Sequence, residues 1–429
     1  MTSLSLESPS SAPAVKSGQS DFFVTRQPIF ENDGSVFAYE LLFHSCSEEA
    51  ADAADAKLAG SLVASDFFSA GTGRMLSGKK AFLKFPAEML AAGVPLLVPR
   101  KLIVVEIPDT IEIDADILGA CRNLKQNGYR LALTNFHEQG HFGPLVDLAD
   151  IIKVNFAKAT ASDRRRLSAE HRARGVAMLA DNVQTQEDFE SARGAGYSYF
   201  QGFFFAKPSL ATGKELSGFK RNYLRILAEL HRSDLDYDEI IRLIKQETTL
   251  SSKLLAYINS AVFSLRGTVS SLNQALAMLG EKTVRHWISA TALACVAREK
   301  PGELVRHTML RARFCESIAR QANFALRQQT TLFLIGMFSL LDAMVDRPLD
   351  ELLSGLPVPA SARNVLLGNA PDGDRWAEVF ASARAYESAD WSALSSATSR
   401  LGIPSDVMPQ LYLESADWSA EVCRSAAVL

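Results

Sequence analysis

The sequence predicts an α/β half followed by an all-helical half, and two observations carry the division. Ahead of Pro208, short β-prone runs alternate with longer segments of helical composition, the pattern of a parallel sheet covered by helices. Beyond Lys207-Pro208 the β-type runs disappear and apolar residues recur at helical spacing. The change falls once, near residue 210, so the 429 residues divide into units large enough to bury their cores without staples.

In chain order, Met1 to Ser20 is rich in Ser, Ala and Pro and has no uninterrupted apolar run, which predicts a disordered lead-in and no export signal. Residues 21–208 form the α/β unit. Its strands are expected at Phe22-Phe23-Val24, Ala81-Phe82-Leu83, Ile103-Val104-Val105, Arg130-Leu131-Ala132-Leu133 and Ile151-Ile152-Lys153-Val154. Ser209 to Ser217, with Gly213 inside it, is the expected linker. The helical unit is expected over 218–410, starting with the stripe Tyr223, Ile226, Leu227 and Leu230. Asp236 followed by Glu239 ahead of Ile240, Ile241 and Ile244 is an acidic capping box. Ser270-Ser271 starts a further helix that Gly280 closes. Later breaks fall at Lys300-Pro301-Gly302, Leu356-Pro357-Val358-Pro359 and Pro371-Asp372-Gly373, and 411–429 is a C-terminal tail or helix.

Composition limits the function classes. A formal charge of −4 gives no basic nucleic-acid face, and Asp163-Arg164-Arg165-Arg166 reads as a solvated helix face. Cys46, Cys121, Cys295, Cys315 and Cys423 are odd in number and scattered, which points to a reducing, cytoplasmic setting. The longest apolar stretches, such as Thr331 to Leu341, fall short of the roughly 20 residues a bilayer requires.

Gln27-Pro28-Ile29, Tyr39-Glu40-Leu41-Leu42, Val105-Glu106-Ile107, Ile152-Lys153-Val154 and Gln201-Gly202 follow one another over residues 22 to 208. In this order and at these strand ends they resemble the EAL domain, the bacterial cyclic di-GMP phosphodiesterase family. The resemblance implies a (β/α)8 barrel with its functional residues at strand C-termini. It further implies two divalent cations held by carboxylate and amide oxygens. Glu40, Glu106 and Gln201 match that ligand pattern, Lys153 matches the site lysine and Gln27 the first motif.

Elsewhere the chain departs from the pattern. The family's Asn is replaced by Lys84, its Asp-Asp pair by Thr134-Asn135, and the Asp after the site lysine by Asn155. The stretch carrying the family's proposed general base reads Ala180-Asp181-Asn182-Val183-Gln184, with Asp181 keeping a carboxylate on a shorter arm and Gln184 replacing a Glu. His44 stands in place of a phosphate-contacting Arg. Lys84, expected between Glu40 and Glu106, would replace a metal as counter-charge; the alternative is a lysine whose stem packs on the barrel top with its ammonium in water. Tyr199, Phe200, Phe203, Phe204 and Phe205 are expected to pack in the core, and Trp287, Trp376, Trp391 and Trp418 to anchor helices.

The second half resembles the HDOD domain, through Thr249-Leu250-Ser251-Ser252-Lys253-Leu254-Leu255-Ala256-Tyr257-Ile258-Asn259-Ser260, Val269-Ser270-Ser271-Leu272-Asn273-Gln274-Ala275 and Gly336-Met337-Phe338-Ser339-Leu340-Leu341-Asp342. That resemblance implies a module for protein contact. Ser339-Leu340 occupies the place where related HD hydrolases carry their metal-binding His-Asp, and no His-Asp dipeptide occurs in the chain.

The expected function is a non-catalytic signalling adaptor with an inactive EAL barrel and an HDOD output module, without cofactor, acting on signalling proteins and compatible with a homodimer. Two readings stay open: a receptor that binds cyclic di-GMP without cleaving it, and a residual phosphodiesterase.

Overall fold

Strands β1 (Phe22–Phe30) and β2 (Val36–Ser45) are separated by only five residues, too few for a crossover, so they pair antiparallel. The turn is closed by Glu31 N–H donating to the Ser35 carbonyl at 2.8 Å, with Gly34 at a left-handed φ of 81°. The structure, a computed structural model of the chain, describes residues 22–45, 76–137, 142–208, 217–232, 236–259, 269 and 271–426. The expected lead-in, most of the linker, Ser270 and Cys46 lie outside the described residues.

Strands β3 (Lys80–Lys84), β4 (Ile103–Ile107), β5 (Leu131–Leu133), β6 (Ile151–Asn155), β7 (Ala177–Asp181) and β8 (Tyr199–Gln201) follow β2 in parallel and close an eight-stranded barrel. Closure is antiparallel, through Ile29 opposite Gln201 and Phe30 opposite Phe200. The expectation of an all-parallel sheet is thus corrected at β1, where the short turn dictates direction. Ile29, Ala38, Phe82, Val104, Ala132, Ile151 and Leu179 fill the barrel interior, each fully buried. Helices α1 (Ala87–Ala91), α2 (Ala115–Gln126), α3 (Ala161–Ala173) and α4 (Gln186–Gly194) connect the strands; Asp114, Thr160 and Thr185 cap the last three, each side chain accepting a first-turn N–H.

The second half is helical: α5 (Gly218–Leu230), α6 (Tyr237–Gln246), α7 (Thr248–Ile258), α8 (Leu272–Leu279), α9 (Glu281–Val296), α10 (Gly302–Gln321), α11 (Leu326–Phe338), α12 (Leu341–Val345), α13 (Leu349–Ser354), α14 (Ala360–Leu366), α15 (Arg375–Glu387), α16 (Trp391–Leu401) and α17 (Met408–Ser425). Asp236 accepts the N–H groups of Asp238 and Glu239, but the Glu239 carboxylate pairs with Arg242 and Arg225, so only half of the expected capping box forms. Ser271 accepts the Gln274 N–H, and Gly280 separates α8 from α9. The boundary expected at 410 falls inside α17, whose Leu411, Tyr412 and Ala416 are buried. A Cβ at Gly336 would meet Ala312 Cα at 2.7 Å, which fixes a close crossing of α11 on α10.

The large aromatics behave as packing groups. Phe200, Phe204 and Phe205 are buried, Trp287 stacks on Tyr257 at 5.0 Å, and Trp418 meets His286 and Phe333 edge-on. Arg165 and Arg166 are exposed on α3. No helix among the described residues is long and apolar enough to cross a membrane.

Candidate site at the top of the barrel

Side chains alternate along a strand, so the residue two places beyond each interior-filling residue faces the same axis one layer nearer the strand's C-terminus. Applied to Ala38, Phe82, Val104, Ala132, Ile151 and Leu179, this rule places Glu40, Lys84, Glu106, Thr134, Lys153 and Asp181 on that layer. Gln201 follows Tyr199 on β8, and Gln27 precedes Ile29 because β1 runs the other way. One residue from each strand thus forms a ring over the filled barrel.

Lys153 is the hub of the ring. Its Nζ, almost fully buried, donates to Glu40 Oε2 at 2.9 Å and to Glu106 Oε1 at 2.7 Å. Lys84 Nζ lies 3.1 Å from Glu40 Oε1, with half of its side chain in solvent. Gln201 Nε2 donates to Glu40 Oε2 and, at 3.2 Å, to Gln27 Oε1. Strand β3 sets Lys84 between the strands of the two glutamates, where it forms its ion pair with Glu40 from the rim, while β6 brings the deeper Lys153 to both carboxylates. Two buried oxygens of the ring, Glu106 Oε2 and Gln201 Oε1, have no hydrogen-bond partner among the described residues.

Burial alone would raise the Glu40 carboxyl, but the ammoniums of Lys153 and Lys84 and the Gln201 amide outweigh it and hold it below the usual carboxylate range. Burial also raises Glu106, and the charge on Glu40 adds to it; Lys153 and Lys84 offset only part, leaving Glu106 at about 7. Asp181 is raised by burial, against the pull of Lys153, and its carboxylate accepts the Asn182 N–H at 2.7 Å. Two neighbouring acids are therefore pushed apart, one firmly ionised and one near neutrality.

The other expected site residues, Thr134 apart, lie off the ring. Thr134 is on it, its hydroxyl 3.5 Å from the Ile107 carbonyl, but Asn135 adopts φ 50° and turns outward to Asp109 at 3.3 Å. Asn155 caps its own turn, accepting the N–H groups of Ala157 and Lys158. Gln184 bonds Asn182 and Lys207. His44 is on β2, and its side chain lies outside the described residues.

The donor set does not fit the two divalent cations implied by the EAL resemblance. Both Glu40 oxygens already face cationic or amide donors, and among the described residues no group of three or more His, Cys, Asp or Glu is placed to hold an ion. Hard cations of that kind require several oxygen ligands.

In the helical half, Ser339 Oγ accepts from Arg311 Nη1 at 3.0 Å, and Leu340 is buried. Arg311 also donates to Glu387 Oε2 through Nε at 2.8 Å and Nη2 at 2.6 Å, with His307 3.5 Å from the same oxygen. Burial would raise Glu387, but Arg311 and His307 draw it down to about 2. The Arg311 guanidinium thus bridges Ser339 and Glu387. Sequence reasoning missed this cluster, because Arg311 and Glu387 are 76 residues apart and share no motif.

Comparison with known proteins yields four findings. The HDOD domain family matches residues 216–343. The uncharacterized protein YuxH of Bacillus subtilis is 30% identical over 405 residues, covering 92% of this chain and 97% of that protein. The cyclic di-GMP phosphodiesterase CdgJ of Vibrio cholerae is 32% identical over 413 residues, covering 94% of this chain and 93% of that one. A crystal structure of an EAL domain protein from Listeria monocytogenes is similar at 17% identity and a TM-score of 0.35, over 43% of this chain and 87% of that chain.

Proposed function

This chain belongs to the family that joins an EAL-like barrel to an HDOD domain, and we propose that it is a cytoplasmic signalling adaptor whose barrel does not hydrolyse cyclic di-GMP. The observation that carries this reading is the saturation of Glu40 by Lys84, Lys153 and Gln201. Divalent cations entering the ring would have to displace two ammoniums and would be opposed by like charge. Output runs through protein contacts of the helical half with signalling partners, with a homodimer as one such contact. The expected result is no release of product from cyclic di-GMP above background with Mg2+ or Mn2+. Product that disappears in Glu40→Ala would overturn the reading and place this chain with its relative CdgJ in activity.

One observation favours a second reading, a receptor that binds without cleaving. Glu106 Oε2 and Gln201 Oε1 are buried acceptors without donors, and leaving such atoms unmet costs on the order of 1–3 kcal/mol each. A nucleobase N–H could satisfy them. Calorimetric titration with cyclic di-GMP separates the two: saturable heat supports the receptor, and silence at millimolar ligand leaves the adaptor.

A further inference from the structure

Strand β1 pairs with β8 only at Ile29 and Phe30, although it pairs with β2 along its whole length. The edge of β1 nearest the ring therefore has no strand beside it, and exposed edges must be covered or solvated. Helix α15 covers it: the Tyr386 hydroxyl accepts the Val24 N–H at 3.3 Å and donates to the Val24 carbonyl at 2.9 Å, one side chain meeting both edge groups of one residue. From α17, the Tyr412 hydroxyl lies 3.3 Å from Thr25 Oγ1.

Strand β2 is gripped in the same way. Tyr39, the neighbour of Glu40, donates to Glu303 Oε2 at 3.0 Å and receives Arg306 Nη2; Arg306 also chelates Glu303 and donates to Ser77 at 2.9 Å. The guanidiniums of Arg26 and Arg306 lie 5.0 and 4.8 Å from the Tyr39 ring centre. At the seam between β1 and β8, Gln27 and Gly202 border the same narrow cavity as His307 and Glu387. Gly202 has φ 146°, and a Cβ there would meet the Val183 carbonyl at 2.0 Å, so no side chain of its own can close the seam.

We propose that the helical half is a wall of the barrel and that Tyr386 and the Tyr39–Glu303–Arg306 clamp are positioning residues for the ring. Consecutive residues link the two sides: Tyr39 meets helix α10 and carries Arg26 on its ring, while Gln27 and Glu40 meet Gln201 and Lys153. A strand cannot shift one of these residues without the other. The barrel top and helix α15 therefore change state together, whether or not the barrel takes a nucleotide.

The test is a double-mutant cycle in the full chain. Tyr386→Phe removes one hydroxyl and keeps the ring packing; Lys84→Met changes the rim of the site, where half the side chain is already in solvent. Stability by denaturant titration is read alongside hydrogen exchange of peptides spanning 22–30, 131–155 and 375–387. The coupled unit predicts that the double variant's unfolding constant departs by about threefold or more from the product of the single effects. It also predicts that Lys84→Met, which perturbs the carboxylate shared with Lys153 in 131–155, alters exchange in 375–387 as well. A departure below threefold, with exchange changes confined to the side substituted, overturns the proposal. Because no ligand is added, this outcome is independent of the titration with cyclic di-GMP.

Discussion

The two faces of the β1–β2 hairpin carry similar chemistry and reach opposite ends. Outward, Tyr39 joins Glu303 and Arg306 in a buried cluster in which none of these three leaves a polar atom unmet. Inward, Glu40 joins Glu106, Lys153 and Gln201 in a cluster that leaves two buried acceptors without partners and one lysine half in water. A sealed network is what a permanent internal joint requires, whereas buried acceptors left unmet carry a cost that such a joint avoids. The difference teaches that burial and charge alone do not distinguish glue from site; satisfaction does.

The sharpest way to break the comparison is at the sealed face. Arg306→Met leaves Glu303 buried without its cation, and the expected loss is about 3–5 kcal/mol by chemical denaturation. A loss near that of an exposed ion pair would mean that the outward network is not a joint at all. The open face should respond to pH instead. Burial and the charge on Glu40 raise the Glu106 carboxyl from 4.5 to about 7, so the folded chain holds a proton that the unfolded chain releases. That contribution is fully present below about 4.5 and is lost as pH rises to about 7. Glu40, held low, works in the opposite sense and loses its contribution as pH falls below 4.5. Glu106→Gln should therefore flatten the decline between these pH values by about 1 kcal/mol or more, and an unchanged slope would assign the titration elsewhere. The smallest effect belongs to Lys84→Met, about 0.2–1 kcal/mol, because a half-exposed ion pair is screened by solvent. A thermal melt resolving a much larger loss would show that Lys84 is part of the core of the ring.

Much of the ring was legible in the sequence, for a geometric reason. Glu40, Lys84, Glu106, Lys153 and Asp181 each stand at a strand end where motif and alternation agree. Which lysine would reach which carboxylate was not legible, because that depends on the barrel's depth: Lys153 reaches across to both glutamates, and Lys84 stays at the rim. The reversal of β1 had a signal in Asn32-Asp33-Gly34, a turn sequence between two apolar runs, and was missed. The joint had almost none. Glu303 and Arg306 look like any helical ion pair at three-residue spacing, and Tyr386 meets Val24 across 362 residues.

The left-handed backbone at Asn135 bears on reversibility. Aspartate tolerates φ near 50° almost as well as asparagine, and Thr134 is close in size to aspartate, so an acidic pair at 134 and 135 is compatible with the backbone. An acid at 134 would face a ring whose ammonium charges are already in place, and one at 135, turned outward, would meet the Asp109 carboxylate. The order of substitutions then matters more than their number. A lineage or a designer seeking metal chemistry in this barrel has to discard Lys84 first, an inexpensive step taken alone, and only afterwards do new carboxylates become useful.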